Sequence, residues 1–250
     1  MPIRNIRRNA LAEGTVFLLA ILSASCSSSA ALVLRENGTA SLSLDVTIPQ
    51  AIEAKLRSLS SSGAEASLID AKALERGAKR QGLGVLASSN PDPSSYRGNF
   101  SLDSLQTFIK SSGLGDSGVL EYRRGSGWES LSMRLDGKNA SKVTELFPGL
   151  DENLLESLQP PALYDNPVSK AEYRSMLLAL LGKNNGAAID DARFTLRIAL
   201  PGPILEIAGD GVAQEGTHAL SVRIPLLDAM VLERGISFYV RWRSSSLTAP

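Results

Sequence analysis

Apolar residues alternate with polar ones at both ends of this chain and recur at helical spacing between them. Near the N-terminus, Leu42, Leu44, Val46 and Ile48 take every second place in "ASLSLDVTI" (40–48), the period of a half-buried strand. "LVL" at 32–34 precedes it, and Asn37–Gly38 predicts a hairpin turn between the two because both residues tolerate positive φ. Pro49 opens the next segment, and Ile52, Leu56 and Leu59 follow at spacings of four and three, predicting a helix over 49–60. A second helix is predicted over 65–80, weakened by Gly77 and ended by Gly82. "ASSNPDPSSYRGN" (87–99) reads as a turn-rich connection, and 102–111 as a helix built on Leu105 and Ile109. Strands are predicted over 118–124 and 128–135, where Leu131, Met133 and Leu135 alternate. Helices follow at 139–147, 151–158 and 169–182, the last opened by Ser169 and Glu172 at capping-box spacing. The chain then returns to strands: Phe194, Leu196 and Ile198; Leu220, Val222 and Ile224; Ile236, Phe238, Val240 and Trp242. A further strand in "GPILEIAGDG" closes on Asp210–Gly211, and "PLLDAMVLERG" reads as a helical turn or a wide loop.

Strands at both ends thus flank a mainly helical middle. None of the helices or hairpins can bury an apolar face alone, which predicts one α+β domain over 32–243. Its N-terminal hairpin would pair with the C-terminal strands in an antiparallel sheet. Residues 244–250 read as a frayed tail.

The first 31 residues follow a different pattern. Arg4, Arg7 and Arg8 lie ahead of "VFLLAILSA" (16–24), and small residues follow. That is the layout of a secretory signal over 1–25: basic start, short apolar run, small-residue cleavage zone. The apolar run is about half of the roughly 20 residues needed to cross a bilayer. Arg7–Arg8 also raises twin-arginine export, but "NAL" after the pair lacks the rest of that signal.

The only cysteine, Cys26, stands at the end of this leader. Leu22-Ser23-Ala24-Ser25-Cys26 resembles the lipobox of bacterial lipoproteins, in the relaxed form found in spirochaetes, with leucine four residues before the cysteine. The resemblance implies that Cys26 is the lipid attachment point, carrying a diacylglyceryl group after the leader is cut, with palmitate-type acylation of the new amino group. It further implies a mature protein that is exported and lipid-anchored to a cell envelope membrane. Two or three acyl chains hold far longer than one. "SSSAA" would then be a tether over 26–31, reaching roughly 20 Å if extended. The alternative is an ordinary cleaved signal with an incidental cysteine.

The opening "LRENGTASLSL" and the closing "GDG…HALSVRIPL…ISFYVRW" together resemble the extracytoplasmic domain of mycobacterial LppM-type lipoproteins, which implies an envelope-facing α+β body. Composition adds two exclusions. The chain has 26 basic and 26 acidic residues. The leader removes three basic residues and one acidic one, so the mature chain carries a formal charge of −2. That balance argues against nucleic acid as a partner. A lone cysteine allows no internal disulfide, so stability rests on an aliphatic core.

Candidate chemistry is sparse. Gly113, Gly115 and Gly118 spell G-x-G-x-x-G, but a predicted helix precedes them and a strand follows, the reverse of a dinucleotide-binding turn. His218 is the only histidine, too little for a zinc site. No G-x-S-x-G elbow is present to pair with it. Asp151–Glu152 fits a helix N-terminus, and Asp190–Asp191 a loop before the strand at 193–199. Asn37, Asn99 and Asn139 each open an N-x-S/T sequon, relevant only in a eukaryotic host. No catalytic, cofactor-binding or metal-binding residue is assigned. The expected partner is a membrane, through acyl chains on Cys26; a protein or small-ligand partner stays open. The expected role is binding, scaffolding or envelope maintenance, against a cell-envelope enzyme or a secreted binding module.

Overall fold

The computed structural model of the chain describes residues 27–59, 67–144, 156–164 and 167–244. Cys26, the leader, Asp151–Glu152 and the last six residues lie outside these. The elements run β1 (Ser27–Leu34), β2 (Ala40–Thr47), α1 (Gln50–Leu59), α2 (Ala71–Arg80), β3 (Gly84–Ser89), β4 (Ser95–Leu102), α3 (Leu105–Ser111), β5 (Leu120–Gly125) and β6 (Trp128–Leu135). They continue with α4 (Ala140–Thr144), α5 (Pro161–Tyr164), α6 (Lys170–Leu181), a 3₁₀ turn (Lys183–Asn185), α7 (Gly186–Asp191), β7 (Arg193–Ala199), β8 (Ile204–Gly209), β9 (Val212–Gln214), β10 (Ala219–Pro225), α8 (Leu226–Val231) and β11 (Ile236–Arg243).

The fold is α+β and its sheets are mostly antiparallel, as the pattern predicts. A seven-stranded sheet has the order β3-β4-β2-β1-β7-β10-β9, and a four-stranded one the order β5-β6-β11-β8. The N-terminal hairpin does meet the C-terminal strands. The joint is β1 beside β7, and that pair is parallel, with Ser27 opposite Arg193 and Val33 opposite Ala199. The C-terminal strands divide between the two sheets. Strand β8 lies in the small sheet and β9 in the large one, so the Asp210–Gly211 turn between them spans the seam.

Local chemistry sets the element ends. The Asp70 carboxylate accepts the N–H groups of Lys72 and Ala73 and starts α2. Ser104 caps α3. Ser169 and Glu172 form the predicted capping box of α6, supplying two otherwise orphaned donors with partners. In the β1–β2 turn, Gly38 adopts φ +81°. The Asn37 side chain accepts from both the Thr39 N–H and its hydroxyl.

One face of the large sheet is apolar. Phe194 lies opposite Ile224 and Ile198 opposite Leu220, and all four are buried. Tyr96, Phe100 and Leu102 extend that face to β4. Helix α8 is buried along Leu226, Leu227, Ala229, Met230 and Val231, in contact with α5, α6 and α7. Tyr173 of α6 is fully buried, and its hydroxyl donates to the Leu158 carbonyl at 2.9 Å.

Three local expectations change. The turn-rich connection at 87–99 is a hairpin: β3 and β4 occupy most of it and only 90–94 turns. The inward positions of β4 are Tyr96, Gly98 and Phe100. A Cβ on Gly98 would lie 2.4 Å from the Tyr96 hydroxyl and 2.7 Å from the Phe100 ring, so the aromatic neighbours use the space that a side chain would mark in the sequence. The segment 27–31, read as tether, is paired strand. Ser28 is fully buried and Ala30 nearly so, and β1 hydrogen-bonds on both sides, to β2 and β7. Small side chains suit a central strand under a packed helical layer, and they hide its period. Asp190 and Asp191 end helix α7 instead of lying in a loop.

Candidate functional site: a charged cleft at the seam of the sheets

A cleft of about 510 Å³ opens where the two sheets meet. Its frame comes from one continuous stretch, 223–236, with Lys170 of α6 and the Asp210–Gly211 turn facing it. On β10, Val222 and Ile224 point into the core and Arg223 points out. Pro225 ends the strand and leads into α8. Leu232 then takes φ +51°, its N–H donating to the Asp228 carbonyl. This reversal aims Glu233 back at α6, where its carboxylate accepts the Lys170 backbone N–H at 2.7 Å. The Lys170 ammonium meets the Asp228 carboxylate at 2.5 Å. Two carboxylates therefore sit at the start of α6, where the helix dipole favours negative charge. On the opposite wall, the Gly211 carbonyl accepts the Arg223 N–H at 2.9 Å. A Cβ on Gly211 would fall 2.2 Å from the Arg223 carbonyl oxygen, and its φ is +71°. Glycine alone lets the turn lie this close to β10.

The cleft lining carries Lys170, Arg223 and Arg234 against Asp210, Asp228 and Glu233. Asp228 and Glu233 are engaged by α6. The side chains of Arg223, Arg234 and Asp210 have no hydrogen-bond or ion-pair partner among the described residues. Planar, permanently charged guanidinium groups match carboxylate and phosphate oxygens, so the unengaged pair can receive an anion.

Position adds to this. Ser27 lies opposite Arg193, and Arg193 lies opposite Pro225, which lines the cleft. With strands about 4.8 Å apart, the start of β1 is about 10 Å from the cleft wall. Both lie at the same end of the large sheet.

A second polar cluster sits under the small sheet. Arg124 Nε donates to the Tyr122 hydroxyl and to Glu129 Oε1, each at 3.0 Å, and the Ser244 hydroxyl donates to the same Glu129 oxygen at 3.2 Å. The Glu129 side chain is 8% exposed. Burial, and then the Glu129 carboxylate, push the Tyr122 hydroxyl up to about 12. The Trp242 ring lies 6.3 Å from that of Tyr122, and its buried indole N–H has no partner.

The residues singled out by sequence do not converge. His218 is exposed just ahead of β10, and its Nδ1 lies 3.0 Å from the neighbouring Thr217 hydroxyl. Gly113, Gly115 and Gly118 form the turn between α3 and β5. Asp190 accepts a forked pair of bonds from Arg174, both 2.6 Å, which holds its carboxyl below the ordinary range. Among the described residues, no three His, Cys, Asp or Glu side chains gather as metal ligands, and no helix is long and apolar enough to cross a membrane. Sequence reasoning missed Lys170, Arg223, Glu233 and Arg234. Glu233 and Arg234 have one local signal, the charged "ERG" after an apolar run, which reads as a helical turn or a wide loop; Lys170 and Arg223 have none.

The molecule defined here is an α+β domain with a charged cleft at the seam of two sheets. No family model matches the chain, and no curated protein matches it. Among solved structures it is similar to the folded domain of the LppM protein of Mycobacterium tuberculosis, determined by NMR. The two are 11% identical, with a TM-score of 0.41, covering 97% of this chain and 98% of that one.

Proposed function

We propose that this chain is an exported lipoprotein of the bacterial envelope, anchored through acyl chains on Cys26, whose folded body binds an anionic group in the seam cleft. The leader over 1–25 and the cysteine that ends it support the anchor. The cleft's unengaged Arg223 and Arg234 support the binding role. The observation that carries the reading is the pairing of Ser27: the residue after Cys26 is already part of the sheet, at the end where the cleft lies.

The anchor is tested by labelling cells with radioactive palmitate. Wild-type protein takes up label and stays with membranes. Cys26→Ala loses the label and shifts toward the soluble fraction. Label retained in that variant overturns the anchor.

A further inference from the structure

A domain on a long tether samples many orientations over its membrane; one mounted by a strand end samples far fewer. We infer that the sheet end at which β1 begins is a membrane-docking surface that faces a phospholipid headgroup layer. The inference rests on acylation of Cys26 and goes beyond it, to orientation.

The geometry follows from register. Ser27 pairs with Arg193 of β7, and from Ser29 onward β1 pairs with β2 as well, so the sheet begins at the residue after Cys26. Continued two residues past the Ser29–Asp45 pair, the β1–β2 register sets Ser27 beside Thr47, so the row at that end is Ser95, Thr47, Ser27, Arg193 and Pro225. Arg223 lies two residues inward from Pro225 on β10, and Arg234 and the Asp210–Gly211 turn line the same cleft beside it. The opposite end of the sheet carries the β1–β2 turn with Glu36, and Glu215 just past β9. Eight residues of β1 separate the two ends, about 23 Å at the rise of a strand. Acyl chains in the bilayer therefore bring the first end to headgroup depth and hold the second in water.

Charge fits this placement. Arg193, Arg223 and Arg234 carry no carboxylate partner among the described residues. Asp191 and Asp210 share the same end, so the surface is not simply basic and it does not depend on strongly anionic lipid. Phosphate oxygens of the headgroups are the partners that guanidinium groups can fork onto. Juxtamembrane arginines gain further from an anionic leaflet.

The test uses full-length protein purified with its native anchor and reconstituted in phosphatidylethanolamine–phosphatidylglycerol vesicles. An acylated Cys26 has no free thiol, so one introduced cysteine takes a fluorophore at a single site. Asp191→Cys and Asp210→Cys mark the proposed docking end; Glu36→Cys and Glu215→Cys mark the far end. Vesicles carrying a headgroup-linked quencher should abolish much of the fluorescence at the first two sites and leave the last two unchanged. Equal quenching at all four, or quenching confined to Glu36 and Glu215, overturns the orientation. Fluorophore uptake by the wild-type chain is a separate outcome: it reports a bare thiol at position 26 and overturns the anchor on which the inference stands. Adding Arg223→Ala and Arg234→Ala to the Asp210 variant should reduce its quenching; no reduction removes the arginines from the contact.

Discussion

The two polar clusters of this domain differ in how far they are satisfied from within. Under the small sheet, Glu129 is almost wholly buried and takes hydrogen bonds from Arg124 and Ser244, while Arg124 also reaches Tyr122. Its charges answer one another, and the neighbouring Trp242 indole N–H is left over. In the seam cleft, Lys170, Asp228 and Glu233 are tied to the start of α6, yet Arg223, Arg234 and Asp210 are left open to solvent. A buried network of the first kind has its worth in stability and specificity of packing. An open set of the second kind contributes little to stability, and its cations are available to a ligand.

The contrast is sharpened by four changes. Gly211→Ala should have the largest effect. It forces a side chain into the left-handed region, at about 1–2 kcal/mol, and against the Arg223 carbonyl, at a similar further cost. A loss of about 3 kcal/mol in chemical denaturation is expected; a loss under about 1 kcal/mol would mean that the turn moves freely and the cleft wall is soft.

Glu129→Ala should follow, at about 2 kcal/mol, because it strips the shared acceptor from Arg124 and Ser244. Arg223→Ala, on the exposed side of β10, should stay within about 0.5 kcal/mol by the same measurement. Equal losses in the two variants would erase the distinction between a structural and a functional cluster.

The last effect concerns pH and is confined to the alkaline range. The Tyr122 hydroxyl is pushed up to about 12, above its ordinary value of 10.0, so folding favours its neutral form. That contribution is complete below pH 10 and is lost as pH climbs from 10 toward 12. Tyr122→Phe should therefore flatten the decline of thermal stability across this window. An unchanged decline would assign the alkaline loss to other groups.

The sequence makes some parts of this architecture plain and conceals others. Strand β7 is legible because Phe194, Leu196 and Ile198 face one way with polar residues between them, and α6 because Ser169 and Glu172 announce its start. Strand β1 is concealed because its first inward positions are Ser28 and Ala30, too small to register as apolar period. Strand β4 is concealed because Gly98 stands where the Tyr96 and Phe100 side chains already fill the interior. The cleft is illegible for another reason. Lys170 and Asp210 are distant along the chain from the 223–236 stretch, and only the seam between two sheets, together with the reversed backbone at Leu232, gathers them. Pattern reveals which residues face inward, but it does not reveal which strands become neighbours.

Strand β1 has a bearing on biosynthesis. Among the described elements it is the first to be made, and one of its two neighbours, β2, follows at once. The other, β7, emerges only after the whole helical middle has been synthesised. Until then the nascent hairpin carries an unpaired edge, the kind of surface that recruits wrong partners. Pairing at such long sequence separation also slows folding. A holding chaperone, or quick burial of the Ser28–Ala30 stretch, would guard that edge while the rest of the chain arrives.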